Sequence, residues 1–312
     1  MNLFNIGYGK KTKITNSKTV TEEGEYALDA YQNNPTKPNT LAYDISKRAI
    51  VANGAASHNG VPPLKRSIQN YFNDGSLWER ISNKTFEDLY IGDYFDITIS
   101  TSYTSNEVVR CNLAHFNYYE NCGDTPLTKP HVVIVPENCF AQTHQMNSTN
   151  TTEGGYHGAA IQTVLNTYTT AIANKIGNSH LLSFRDLWSN AVNTSVASMA
   201  GAGFTGSASG WNWYDAKLVL MSEMQVYGGN VWSSSGYDTG IANRQLALFK
   251  YDPSKLICKL GGTDRVSASN RYWWWLKNIA SSSWFCIVDN GGSANCGDAS
   301  YSNGVRPLFL IG

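Results

Sequence analysis

Charge is scarce in this chain. Asp, Glu, Lys and Arg supply 15% of the 312 residues, and 24 basic against 24 acidic side chains leave no formal net charge, so no overall field recruits nucleic acid or an anionic membrane. Long apolar runs are missing as well. Stretches such as Val132 to Val135 are far too short to cross a bilayer. Met1 to Lys13 has lysines with no apolar segment behind them, so a secretion signal is not expected. The length of 312 residues still allows one large or two modest domains with a substantial core.

Catalytic and metal-binding patterns are absent too. The cysteines, Cys111, Cys122, Cys139, Cys258, Cys286 and Cys296, form no C-x-x-C pair, which removes the usual zinc and redox motifs. Partly buried thiols, mostly outside disulfides, are the expectation. His115, His131, His144, His157 and His180 are scattered without H-E-x-x-H spacing, and neither a G-x-S-x-G elbow nor a Walker sequence occurs. No metal, cofactor or catalytic residue is therefore expected. Matches to the glycosylation pattern at Asn83, Asn147, Asn150 and Asn193 follow from a chain rich in Asn and Thr.

Polarity comes instead from Asn, Ser, Thr and Gly, and aromatics reach 12%. The two compositions meet in Asn270 to Gly312. Trp273, Trp274, Trp275, Leu276, Phe285, Ile287, Val288, Val305, Leu308, Phe309, Leu310 and Ile311 can form a buried frame, and the residues between them are almost all small or polar. The runs Trp284 to Val288 and Leu308 to Ile311, separated by Asp-Asn-Gly-Gly and Ser-Asn-Gly, predict strands joined by tight turns. On that reading the polar filler sits in loops. Tyr, Ser, Gly and Asn on a rigid scaffold are the side chains of adaptable recognition surfaces, whereas composition alone favours an ordinary connecting loop.

The frame carries a family resemblance. Trp274-Trp275-Leu276-Lys277, Phe285-Cys286-Ile287-Val288, Gly292, Ala294, Ala299 and Gly304-Val305-Arg306-Pro307 together resemble the variable region of proteins diversified by retroelements. Leu89 to Tyr94, Met146 to Tyr156 and Met221 to Gly228 also resemble phage and prophage proteins of this type, so the likeness covers roughly Phe86 to Gly312. It implies an α+β, C-type-lectin-like fold, related to formylglycine-generating enzymes, with few short strands, two helices and long loops. By alignment to the frame, it implies ligand contacts at Asp289, Gly291, Ser293, Asn295, Cys296, Gly297, Asp298 and Tyr301, with Tyr272 and Trp273 beside them. Trp284 is frame or contact. Lys277 stands where the family often has Arg, which leaves that residue's partner open. In such proteins AAC codons are rewritten at their adenines, and the eight positions from Asp289 to Tyr301 hold only amino acids reachable that way.

Upstream, periodicity organises the body. Met1 to Asn83 is the expected attachment or oligomerisation region, with a basic stretch at Lys10 to Lys18, a turn at Asn33 to Asn39 and an amphipathic helix at about Leu64 to Phe72. Residues 84–312 are the expected ligand-binding domain, variable over about 270–312. Tyr94 to Ser100, Val108 to Phe116 and His131 to Val135 read as strands, the last stopped by Pro136. Ile161, Val164, Leu165, Tyr168, Ile172 and Ile176 recur at helical spacing, with Gly177 as stop signal. A second helix is expected over Ser183 to Val192, a loop over Ala197 to Gly210, and strand or short helix over Lys217 to Val226. Arg306 is expected to be partly buried and satisfied by backbone carbonyls or a carboxylate.

The resemblance implies a non-enzymatic receptor-binding protein of the phage tail, assembled in the bacterial cytoplasm. Its partners would be a host cell-surface protein or glycan, other virion or tail proteins through the N-terminal region, and copies of itself, with a trimer multiplying weak sites. Nucleic acid and membrane insertion are not expected. A structural virion protein without receptor specificity is the competing reading. A formylglycine-generating oxidase would need a closely spaced cysteine pair, and Cys286 and Cys296 are nine residues apart in between. A calcium-dependent lectin would need more carboxylates than Asp289 and Asp298.

Overall fold

Phe72 stacks on Phe95 at 4.6 Å, tying the first helices of the described chain to its first strand. The computed structural model describes residues 58–201, 203–233, 244–263 and 270–312; the basic stretch and the turn expected before residue 58 lie outside them. His58 to Gly312 is one compact unit, so residues 58–83, grouped above with the N-terminal region, lie within it. The helix expected near Leu64 to Phe72 is two short helices, α1 (Gln69–Asp74) and α2 (Ser76–Ser82). Gly75 separates them at φ 82°, a conformation open to glycine at little cost.

The strands β1 (Tyr94–Ile99), β2 (Glu107–Phe116) and β3 (Val132–Pro136) follow. Phe95, Ile97 and Ile99 are buried in alternation along β1, the period of a strand with one face in the core. Asp96 pairs opposite Arg110 in the β1–β2 register, and the guanidinium donates to both carboxylate oxygens at 3.0 and 3.2 Å. Every residue of β3 is buried, as expected for a continuously apolar strand covered on both faces.

After β4 (Thr143–His144) comes the helix α3 (Ile161–Ile176). Its buried side chains include all six of the periodic positions, and Gly177 ends it at φ 91° while donating to Ala173 O at 2.9 Å. The helix packs on β1 and on the later strand Leu218–Leu220.

The second helix expected over Ser183 to Val192 does not form. That segment is extended, following β5 (Leu181–Leu182) as β6 (Phe184–Trp188) and the start of β7 (Ala191–Ala197). Phe184, Asp186 and Trp188 are buried while Arg185 and Leu187 are half-buried. This is period two, and an aromatic residue at each end favours the strand. The expected Ala197 to Gly210 loop carries β8 (Thr205–Ser209), which pairs with β7, and β9 (Asn212–Ala216) pairs with β6. Lys217 to Val226 divides into a strand, β10 (Leu218–Leu220), and a helix, α4 (Glu223–Tyr227). Ser222 caps α4 by a reciprocal capping box with Gln225, which satisfies two donors at the helix start.

The remaining elements are α5 (Ala247–Tyr251), β11 (Cys258–Lys259), β12 (Arg271–Tyr272), β13 (Trp274–Ile279), β14 (Trp284–Val288), β15 (Ala294–Asp298), β16 (Asn303–Gly304) and β17 (Pro307–Ile311). One sheet runs β1-β2-β3-β17-β10 with β5 on β17, and a second runs β15-β14-β13-β16-β4. Within these two sheets, only β13 and β16 pair in parallel. The fold is mixed α+β and largely antiparallel. Among the described residues it has five α-helices and seventeen strands, more of both than expected; the Gly- and Ser-rich stretch before Gly210 adds strands by pairing as a hairpin. No described helix is long and apolar enough to cross a membrane.

The terminal frame is deeply buried. Trp274, Trp275, Leu276, Phe285, Ile287, Val288, Val305, Leu308, Phe309, Leu310 and Ile311 have no measurable exposure, whereas Trp273 is 37% exposed and so stands outside the frame. Lys277 finds its partner in Asp186, Nζ to Oδ2 at 2.7 Å. Arg306 is fully rather than partly buried. Its Nε donates to Pro136 O at 2.8 Å and its Nη1 to Lys255 O at 2.5 Å.

Candidate ligand-binding face

The β14–β15 hairpin is held from inside. Phe285 and Ile287 are buried in the core, and the register sets Trp284 opposite Asp298, Cys286 opposite Cys296 and Val288 opposite Ala294. The tip is built by Asp289. Its Oδ1 accepts from the N–H groups of Gly291 at 2.8 Å and Ser293 at 2.9 Å, and its own N–H donates to Ser293 O. Gly292 takes φ 91° there and its carbonyl accepts from the Tyr227 hydroxyl at 3.2 Å. Asp289 thus shapes the turn, and Gly291 and Ser293 stand exposed on it.

The filler beyond the tip is not a loop. Ala294–Asp298 is the edge strand of its sheet, so successive side chains point to opposite faces. Gly297 lies on the inner side and is buried, with its pro-Cβ direction 3.6 Å from Ile287 Cδ1; only its backbone can reach a ligand. Asn295 and Cys296 are half-buried, and the Asn295 Oδ1 accepts from the Cys296 N–H at 2.8 Å. Burial pushes the Cys296 thiol up to about 11. Cys286 and Cys296, distant by spacing, are cross-strand neighbours.

Asp298 organises the far end of the strand. Its carboxylate accepts from the Trp284 indole N–H and from Asn150 Nδ2 at 2.8 Å, and the Asn150 Oδ1 in turn accepts from the Ala299 N–H at 3.0 Å. The same carboxylate raises the pKa of Tyr301, whose ring stays 54% exposed. Phe204 lies 4.3 Å from the Trp284 ring. Trp284 is therefore a half-buried support, and Tyr301 is the exposed aromatic that it helps to position.

At the tip end, Arg271, Tyr272, Trp273, Asn290 and Asn303 line an open groove of about 270 Å³. Tyr272 and Trp273 were singled out by the resemblance; Arg271, Asn290 and Asn303 were not. Their only signal in the sequence was proximity to those residues. Asn150 on the opposite end was likewise missed, although it lies inside Met146 to Tyr156, one of the stretches that carried the resemblance. The sequence-derived contacts thus divide between a groove with its turn and the Asp298–Tyr301 patch. Among the described residues no group of three or more His, Cys, Asp or Glu side chains is placed to hold a metal.

The family described as DUF6273, a domain of unknown function, matches residues 130–312, the part that contains the whole of this face. No curated protein and no solved structure matches the chain.

Proposed function

The chain belongs to the DUF6273 family, whose description carries no activity, and from the geometry we propose that it is a non-enzymatic receptor-binding protein whose ligand sits on the face between Arg271 and Tyr301. One observation carries the reading. An open groove walled by Tyr272, Trp273 and two amides adjoins an exposed glycine-rich turn, all mounted on a frame with no measurable exposure. Rigid support beneath aromatic and amide side chains is what lowers the entropy cost of binding.

On this reading the fold is C-type-lectin-like and the hairpin is the retroelement-diversified segment. Support comes from the terminal motif, from the separation of buried frame from exposed turn, and from the partial exposure of most filler positions. The protein acts in the phage tail, as a homo-oligomer, possessing a trimer's avidity for a host cell-surface protein or glycan. The part of the chain before residue 58 docks onto other virion proteins.

Two measurements test the reading. Combined replacement of Asn295, Asp298 and Tyr301 by Ala should abolish or redirect binding to host surface extracts while circular dichroism stays native; binding that survives unchanged counts against the face. At the DNA level, a non-coding near-copy of the segment should differ from it only where the copy has adenine. Mismatches spread over all four template bases would refute diversification.

A further inference from the structure

We infer that the groove takes a single pyranose ring bearing a carboxylate, the chemistry of a uronic or sialic acid residue. The inference rests on the receptor-binding reading above and specifies its ligand.

The first observation is an orphan donor. Asn303 is only 6% exposed and lines the groove, yet its Nδ2 has no hydrogen-bond partner. Its backbone is fixed in β16, paired with His144, so the side chain is held in place by the sheet. Buried donors in native proteins are nearly always paired, and this unpaired one belongs to a residue of the groove's lining.

The second observation is the sign of the wall. Arg271 is exposed at the groove, and none of the ion pairs among the described residues involves it. The wall contains no carboxylate. One permanent guanidinium fork beside an orphan amide donor calls for a planar anion with two acceptor oxygens, which a carboxylate provides. A single cation balances that monoanion better than a phosphate dianion.

The rest of the wall describes what carries the carboxylate. Tyr272 and Trp273 present rings, and Asn290 presents an amide, a group able to donate and accept. Rings suit the flat C–H face of a saturated sugar, and the amide suits its hydroxyls. A volume of about 270 Å³ falls just under the range of pockets that enclose drug-sized ligands, which limits the groove to one ring with its neighbours outside.

The test titrates the full chain with methyl glucuronide and with N-acetylneuraminic acid, and in parallel with methyl glucoside and acetate, by saturation-transfer NMR and calorimetry. Either acidic sugar should bind at least about tenfold tighter than the neutral sugar, as one charge-assisted contact implies, and tighter than acetate, which lacks the ring that Tyr272 and Trp273 contact. Arg271→Gln should erase the preference for acid, and Asn303→Asp, which sets a like charge against the carboxylate, should weaken acid binding further while melting curves confirm folding. Binding of neither acidic sugar, equal binding of methyl glucoside, or equal binding of acetate would overturn the inference. Host-extract binding that depends on Asn295, Asp298 and Tyr301, without any acidic-sugar binding, would leave the receptor reading standing and reject only this ligand class; binding to neither rejects both.

Discussion

Lys277 and Asp186 meet at 2.7 Å with 3% and 1% of their side chains exposed, and the Trp188 indole donates to the same carboxylate oxygen at 2.7 Å. A strand of the terminal frame is thereby locked to β6 by a charge pair that water does not reach. Removing one partner leaves the other charge buried, which costs about 3–5 kcal/mol. Lys277→Met should therefore lower the melting temperature by roughly 10 °C in a unit of this size. The double change Lys277→Met, Asp186→Leu should recover most of that loss, because a well-packed apolar pair often replaces a buried ion pair without penalty. Equal melting of the single variant and wild type would contradict the pairing.

Arg306 provides a second anchor. With its guanidinium donating to Pro136 O and Lys255 O and lying 5.2 Å from the Trp274 ring centre, it joins β17 to β3 and to the segment before β11. Arg306→Ala strands two carbonyls and opens a cavity, so a loss of about 3 kcal/mol or more is expected in denaturant titration. An unchanged midpoint would show that these contacts do not hold the frame.

Glu107 gives the pH dependence a testable sign. Burial raises its carboxyl from 4.5 to about 7, although its Oε1 accepts from the Ala141 N–H at 2.8 Å. The folded chain keeps a proton that the unfolded chain releases, so this stability is present below about pH 4.5 and is lost as pH rises through about 7. His115 and His131, lowered by burial to about 3 and about 4, act oppositely: their contribution is present above 6.5 and lost as pH falls. Comparing wild type with Glu107→Gln at each pH isolates the first effect. The variant should gain melting temperature relative to wild type between pH 5 and pH 8, and parallel curves would rule out a proton on Glu107.

Cys286 and Cys296 face each other across β14 and β15. The Asp289–Ser293 and Ala299–Ser283 backbone bonds fix the alternation so that this pair falls at a non-hydrogen-bonded site, where Cα atoms approach to about 4.5 Å, within reach of a disulfide. Excess oxidised glutathione should close it, releasing two molecules of reduced glutathione and removing two hydrogens from the protein mass. The thiolate attacks, and burial holds the Cys296 thiol near 11, so closure should quicken from pH 7 toward pH 10. Cys296→Ser should prevent it; a bond formed elsewhere instead would contradict the register.

The sequence disclosed most where one period ruled a whole segment. Tyr94–Ile99 and Ile161–Ile176 were legible because their apolar positions recur at two, or at three and four, and Trp284–Val288 because an aromatic and β-branched run stops at a turn signal. Ser183 to Val192 misled because Phe184, Leu187 and Trp188 also fit a helical face, and only pairing with Asn212–Ala216 decides for the strand. In the site, Tyr272, Trp273 and Tyr301 could be named from the frame. The burial of Gly297 could not, because the Asn- and Gly-rich composition that suggests a loop is silent about an edge strand's alternation. Asn303 and Arg271 became visible only when β16 and β12 closed the groove.

If the groove face meets the receptor, two aromatics of equal exposure should differ in what their loss does to binding. Trp273, in the groove, and Tyr251, at the end of α5, are each 37% exposed. Binding curves of the labelled protein on host cells should show Trp273→Ala losing about 2 kcal/mol or more, the loss expected of a contact aromatic, with Tyr251→Ala indistinguishable from wild type. Full binding by Trp273→Ala, or an equal loss in both variants, would contradict the assignment of this face.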